Sequence, residues 1–256
     1  MTWPQALIFD VDGTLADTER DGHRIAFNRA FADAGLDWVW SVEVYAQLLV
    51  ITGGKERIRH YLEHFKPDFE YPDDQPSFIA ALHRAKTQHY LTLMHERPIP
   101  LRPGVRRLLE EAREAGVRLA IATTTTPENV GALVDSTLPA GAMDWFEVIG
   151  AGDVVPDKKP APDIYTWVLE QMRLSPDQVV AFEDSEHGLD AAKGAGIDCV
   201  LVTVNDYTAD QGFDAATAVF ENLGDENSQA RPIAGPAPAG GVVDLDYVRK
   251  LGPKNR

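Results

Sequence analysis

The chain has 256 residues, 44% of them hydrophobic, with a formal net charge of −16. That is enough apolar content for a core plus an inserted segment, while the acidic excess gives nucleic acid or an anionic membrane no electrostatic support. A single cysteine, Cys199, excludes an intramolecular disulfide and thiolate metal clusters, and no window approaches the roughly 18 apolar residues of a membrane span. The expectation is small-molecule chemistry in a reducing, cytoplasmic compartment, by a monomer with no nucleic-acid or membrane partner.

In chain order, Ala6-Leu-Ile-Phe-Asp-Val11 is a short apolar run that stops at Asp12-Gly-Thr, the pattern of a buried parallel strand feeding a polar loop. From Asp17 to about His95 no such run recurs, and a connection beyond about 12–15 residues must hold structure of its own. Helical spacing is present there in Ile25, Phe27, Ala30 and Phe31 and in Tyr45, Leu48 and Leu49, with Gly53-Gly54 as a break. This stretch reads as a helical cap, the competing reading being core helices of one larger domain; Trp38 and Trp40 read as packing. Further apolar runs at Val117 to Ala122, Val179 to Phe182 and Cys199 to Val204 alternate with helical stretches at Val105 to Ala115 and Asp163 to Met172. The proline- and glycine-rich stretch Ser228 to Gly241 reads as a loop or tether, after which Val242 to Val248 has the apolar content to dock on the core. The predicted fold class is α/β: a Rossmann-like parallel-sheet core over 1–16 and 96–225, a helical cap inserted over 17–95, and a C-terminal tail over 226–256.

Four polar groups stand where those runs end. Asp10-Val-Asp-Gly-Thr14 sets two carboxylates two residues apart; the Asp-x-Asp-Gly pattern also opens calcium loops, but Leu15 and Ala16 stand where further oxygen ligands are needed. Ile121-Ala-Thr-Thr-Thr-Thr126 brings hydroxyls to a strand end. Lys158-Lys-Pro-Ala-Pro162 holds a cation on a proline-stiffened loop. Phe182-Glu-Asp-Ser-Glu186 brings a second acidic pair just before a helix from Gly188 to Gly194, which Asp184 or Ser185 is placed to cap. Each has an ordinary structural explanation taken alone. Their convergence on one edge of a sheet, where α/β folds bind ligands, does not.

This order of motifs resembles the haloacid dehalogenase-like superfamily over about residues 5 to 205. Thr52-Gly-Gly-Lys-Glu-Arg-Ile58, Ile121-Ala-Thr-Thr-Thr124 and Lys159-Pro-Ala-Pro-Asp163 are most similar to its CbbY group, whose members dephosphorylate xylulose 1,5-bisphosphate. The resemblance implies Asp10 as nucleophile, Asp12 as general acid and base, Thr123 as the phosphoryl-binding hydroxyl and Lys159 as the neutralising cation, chosen over Lys158 because it directly precedes Pro-Ala-Pro. It implies Mg2+ as cofactor, held by Asp10, Asp12 through its carbonyl, Asp184, and Glu183 through a water. The cap loop Thr52 to Ile58 joins two glycines to charged Lys55, Glu56 and Arg57, and reads as a grip on a second, non-reacting phosphate of a small-molecule sugar phosphate, the competing reading being a solvated helix start. The expected substrate contacts are Glu19, Tyr45, Gly54, Lys55 and Arg57 in the cap, with Thr123, Thr124, Thr125 and Lys159 in the core.

The chemistry needs such a set. Two unit charges about 4 Å apart repel by about 4 kcal/mol at an effective dielectric of 20. Asp10, Asp184 and a phosphate dianion together carry about −4, against about +3 from Mg2+ and Lys159. A dehalogenase needs neither Asp12 nor the Glu183-Asp184 pair, and a phosphonate-cleaving relative would need Lys55 in an apolar pocket. A catalytically dead binding protein would have lost the acids. A phosphoglycolate-type phosphatase and a β-phosphoglucomutase-like phosphomutase keep all four motifs and stay open.

Overall fold

The computed structural model describes residues 3–72 and 74–252. Its sheet contains β1 (Ala6–Phe9), β2 (Arg118–Ala122), β3 (Phe146–Gly150), β4 (Val179–Glu183), β5 (Val200–Thr203), β6 (Ala218–Phe220) and β7 (Pro232–Ala234). They run in the order β3-β2-β1-β4-β5-β6-β7, parallel except for β7, which pairs antiparallel with β6. Strands β1, β2, β4 and β5 fall on the four apolar runs. The other three were not anticipated: β3 is an edge strand buried only at its two ends, and β6 and β7 are three residues each, too short for a periodicity. The loop expected over Ser228 to Gly241 therefore contains a strand, and its Pro232 is tolerated because β7 is an edge.

Alternation along β1 divides the core. Leu7 and Phe9 face α5 (Val105–Glu114) and α6 (Pro127–Thr137), where Leu108, Leu109, Val130 and Leu133 are buried against them. Ala6 and Ile8 face α7 (Asp163–Met172) and α8 (Glu186–Gly194) through Ile164, Val168, Leu189 and Ala192. The C-terminal α9 (Leu245–Lys250) buries Leu245, Tyr247 and Val248 in the first of these clusters.

Between β1 and β2 lie a π-helical turn, Glu19–His23, then α1 (Arg24–Asp33), α2 (Val42–Leu48), α3 (Gly54–Phe65) and α4 (Gln75–Glu96). They enclose a separate aromatic cluster in which Trp40 is fully buried among Phe27, Phe31 and Tyr61, and Trp38 packs on Phe31 and Phe69. Gly53, at φ 90, turns the chain into α3. Two strand-like crossings join these helices to the sheet, where Ala16 bridges Leu101. No helix among the described residues is long and apolar enough to cross a membrane.

Candidate active site

The carboxyl ends of β1, β2 and β4 meet beneath the cap helices. Asp10 follows β1, and its N–H continues the ladder to the Phe182 carbonyl, which fixes its direction. Lys159 Nζ donates to Asp10 Oδ1 at 2.7 Å and to Glu183 Oε1 at 2.6 Å, so of the two candidate lysines it is Lys159 that reaches the cluster. Lys158 is turned outward to Asp153. Ser185 caps α8 by accepting from the Gly188 N–H, which leaves Asp184 free to face the cluster. Carboxylate oxygens of Asp10, Glu183 and Asp184 lie within 4.8 Å of one another, all buried.

Such a cluster is short of positive charge. Burial pushes Asp10 up to about 7; Lys159 opposes this, and Glu183 and Asp12 add to it. Asp184 is pushed well above the carboxylate range by burial and then by Asp10 and Glu183. Lys159 is held above its ordinary value because those acids outweigh its burial. Glu183 Oε2 is buried with no hydrogen-bond partner, whereas Oε1 accepts from both Lys159 and the Tyr165 hydroxyl. An all-oxygen donor set with excess negative charge and an orphaned oxygen fits a hard divalent cation such as Mg2+.

A stability test follows from the sign of the Asp10 shift. A carboxyl raised in the folded state binds its proton more tightly there, so between 3.8 and about 7 folding becomes less favourable as pH rises. In chelator the melting temperature of the wild type should fall relative to that of Asp10→Asn across that window, a comparison in which the opposite contribution of buried His83 cancels, and Mg2+ at pH 7 should restore the wild type. A difference that is flat with pH and indifferent to Mg2+ would contradict the cluster's electrostatics.

Asp12 belongs to a second network. Its Oδ1 accepts from the Thr18 hydroxyl and lies 2.8 Å from His23 Nε2, while Lys86 Nζ lies 2.8 Å from His23 Nδ1. An ammonium only donates, so Nδ1 accepts from Lys86 and the imidazole proton on Nε2 points at Asp12. Burial pushes the Asp12 carboxyl up, but His23, Thr18 and Lys86 outweigh it and hold it well below the usual range. Lys86 is buried between the faces of Phe27 and Tyr90, and burial pushes it down to about 8. Neither His23 nor Lys86 was anticipated. The available signal is a lysine within the apolar stripe Ile79, Leu82, Lys86, Tyr90 of α4.

Above the cluster is a cavity of about 270 Å³ lined by Asp10, Asp12, Thr123, Thr124, Lys159, Glu183 and Asp184 from the core and by Glu19, Thr52 and Arg57 from the cap. Other expected contacts lie outside it. Tyr45 is fully buried and acts behind the wall, its hydroxyl donating to Glu19 and accepting from Arg57. Thr125 is turned away, its Oγ1 accepting from Asn129 on α6. Gly54 and Lys55 line a neighbouring groove, where Lys55 pairs with Asp153 at 2.5 Å, and a side chain on Gly54 would collide with His83. Thr52 was missed as a single residue; its hydroxyl donates to the Lys159 carbonyl, tying cap to core.

The profile of the family described as haloacid dehalogenase-like hydrolase matches residues 4–196. Protein CbbY of Cereibacter sphaeroides is 48% identical over 219 residues, covering 86% of this chain and 92% of that protein. A CBBY-like protein of Arabidopsis thaliana is 43% identical, covering 91% of this chain and 73% of its own. Among solved structures, an Asp-to-Asn variant of CbbY from Rhodobacter sphaeroides in complex with xylulose-(1,5)bisphosphate is 44% identical and superposes with a TM-score of 0.80, covering 94% of this chain and 99% of that one.

Proposed function

Because the chain belongs to the haloacid dehalogenase-like hydrolase family and is a sugar-phosphate phosphatase, we propose that it hydrolyses xylulose 1,5-bisphosphate to xylulose 5-phosphate and phosphate through an aspartyl phosphate on Asp10. The observation that carries this reading is one cavity lined by two cationic groups, Lys159 beside the nucleophile and Arg57 from the cap. Arg57 is buried, donates to the Ile51 carbonyl and the Tyr45 hydroxyl, and sits 3.6 Å from Glu19. A guanidinium fork so fixed suits a phosphate that does not react, and Glu19 beside it suits a sugar hydroxyl.

Mg2+ held by Asp10, Asp184, Glu183 and the Asp12 carbonyl would offset the charge of the phosphoryl group and the carboxylates. Lys159 and the Thr123 hydroxyl hold the transferring group. Asp10 attacks phosphorus, forming a carboxylate O–P bond as the bond to the carbon-1 oxygen breaks and Asp12 protonates that oxygen. Asp12 then takes a proton from water, whose oxygen attacks the aspartyl phosphate, frees phosphate and restores the Asp10 carboxylate. In the resting arrangement Asp12 is ionised, the form the second step needs; a bound phosphate dianion raises its proton affinity for the first. The Lys86–His23–Asp12 chain donates in line toward Asp12 and so favours its ionised form, the one the second step needs.

Lys86→Met, which keeps the volume and removes the charge, should lower kcat on the order of tenfold or more. It should also move the acidic limb of the pH profile to higher pH, because Asp12 loses a cation. An unchanged limb would reduce Lys86 to packing.

The substrate assignment is tested by phosphate release across sugar mono- and bisphosphates, with and without Mg2+. Binding energy from the remote phosphate closes the cap and orients the sugar, so its absence should lower kcat as well as affinity. Arg57→Ala should remove the preference for the bisphosphate selectively. Equal specificity constants for bisphosphate and matching monophosphate in the wild type would defeat the assignment, and isomerisation without phosphate release would favour a phosphomutase.

A further inference from the structure

Arg102 is a buried cation that the reaction leaves unused. It stands where the chain returns from the cap, directly after the Leu101 bridge to Ala16, and its N–H donates to the Leu15 carbonyl. Its side chain is 6% exposed. Nη1 donates to the carbonyls of Gly13 and Thr203, and Nη2 to those of Val204 and Glu221. The nearest carboxylate is Asp17, an exposed residue on the other hinge crossing, 3.4 Å from Nε.

Those carbonyls belong to the loops that frame the acidic cluster. Gly13 follows Asp12 in the turn after β1, and at φ 86 it lies so close to Asp184 and Asn205 that a side chain there would collide with both. Val204 precedes Asn205, whose Nδ2 donates to Asp184 Oδ2 at 2.7 Å. Asn205 is in turn held by the Tyr207 N–H on its Oδ1 and by Thr208 Oγ1 on its own N–H. A single planar guanidinium thus binds the nucleophile loop and the loop that orients Asp184, from a base on the hinge itself. Lysine, with a compact head, cannot span carbonyls on three separate segments.

We propose that Arg102 is a positioning residue for the cation site, fixing the separation between the Asp10–Gly13 loop and Asp184 and carrying hinge position into metal affinity. This rests on the reading that the cluster holds Mg2+, and the test separates the two. Mg2+ binding to the substrate-free protein is measured by calorimetry for wild type, Arg102→Lys and Asn205→Ser, well below each melting temperature, alongside kcat and KM. Groups that orient metal ligands typically change affinity by about 10–100-fold. Arg102→Lys should weaken Mg2+ binding by at least about tenfold and lower kcat at subsaturating Mg2+, with KM for the sugar phosphate little changed, because Arg57 and Glu19 are untouched. Asn205→Ser, which removes the last link and leaves the buried cation in place, should weaken Mg2+ binding in the same direction. A folded Arg102→Lys with wild-type Mg2+ affinity overturns the proposal. If that variant does not fold, wild-type affinity in Asn205→Ser overturns it instead. Wild-type protein that binds no Mg2+ would overturn the metal reading itself.

Discussion

Asp10→Asn is expected to release no phosphate above the uncatalysed background while remaining folded. The amide is a poor nucleophile, and it replaces the carboxylate that helps bind the cation, so both the covalent step and its electrostatic support are lost. Stability should behave in the opposite way. Ionised Asp10 is disfavoured by burial and by neighbouring acids, so in chelator at pH 7 the neutral amide should melt no lower than wild type. Measuring turnover and melting on one preparation separates chemistry from folding; phosphate release near the wild-type rate would sink the mechanism.

Lys159→Met carries the second large effect. Lys159 bridges the nucleophile and Glu183 with both hydrogen bonds buried, and it is stacked over the Tyr165 ring. Removing it strips positive charge from the transferring phosphoryl group, and losing one such preorganised donor typically costs about 10²–10³-fold in kcat. Asp10 and Glu183 then face each other without a cation, so the variant should be stabilised by added Mg2+ more strongly than the wild type. Lys158→Met, which loses a pair with Asp153 and a hydrogen bond to the Gly152 carbonyl but no contact with the acidic cluster, should keep turnover close to wild type. A reversal of these two results would reassign the lysine.

The acidic cluster was legible in the sequence because its members sit at the ends of apolar runs, and parallel strands bring such ends to one edge. Asp10, the Thr123 to Thr126 hydroxyls, Glu183 and Asp184 needed only that rule to be brought to one edge, whereas singling out Thr123 among the threonines and Lys159 over Lys158 came from the family resemblance. The cap wall was less legible. Tyr45 reads equally well as a contact or as packing, and the structure uses it as a buried brace between Glu19 and Arg57. Lys55 was read toward substrate because its neighbours are charged, yet its partner Asp153 comes from the core, far along the chain. His23 and Lys86 lie on two separate cap segments and meet only through tertiary packing, so no local spacing marks them. Arg102 has four backbone carbonyls as partners, and a carbonyl carries no residue identity for a sequence to display.

The most direct test of the account is to find the phosphoryl group on the chain. Wild-type protein with Mg2+ is mixed with xylulose 1,5-bisphosphate labelled in the carbon-1 phosphate and quenched in acid within the first turnover, and acyl phosphates are reduced with borohydride before peptide mapping. The account predicts label on the protein at early times, its decay as free phosphate appears, and reduction of Asp10 alone, with none of these in Asp10→Asn. Phosphate release at the normal rate with no label on the chain, or with the label on a residue other than Asp10, would contradict it.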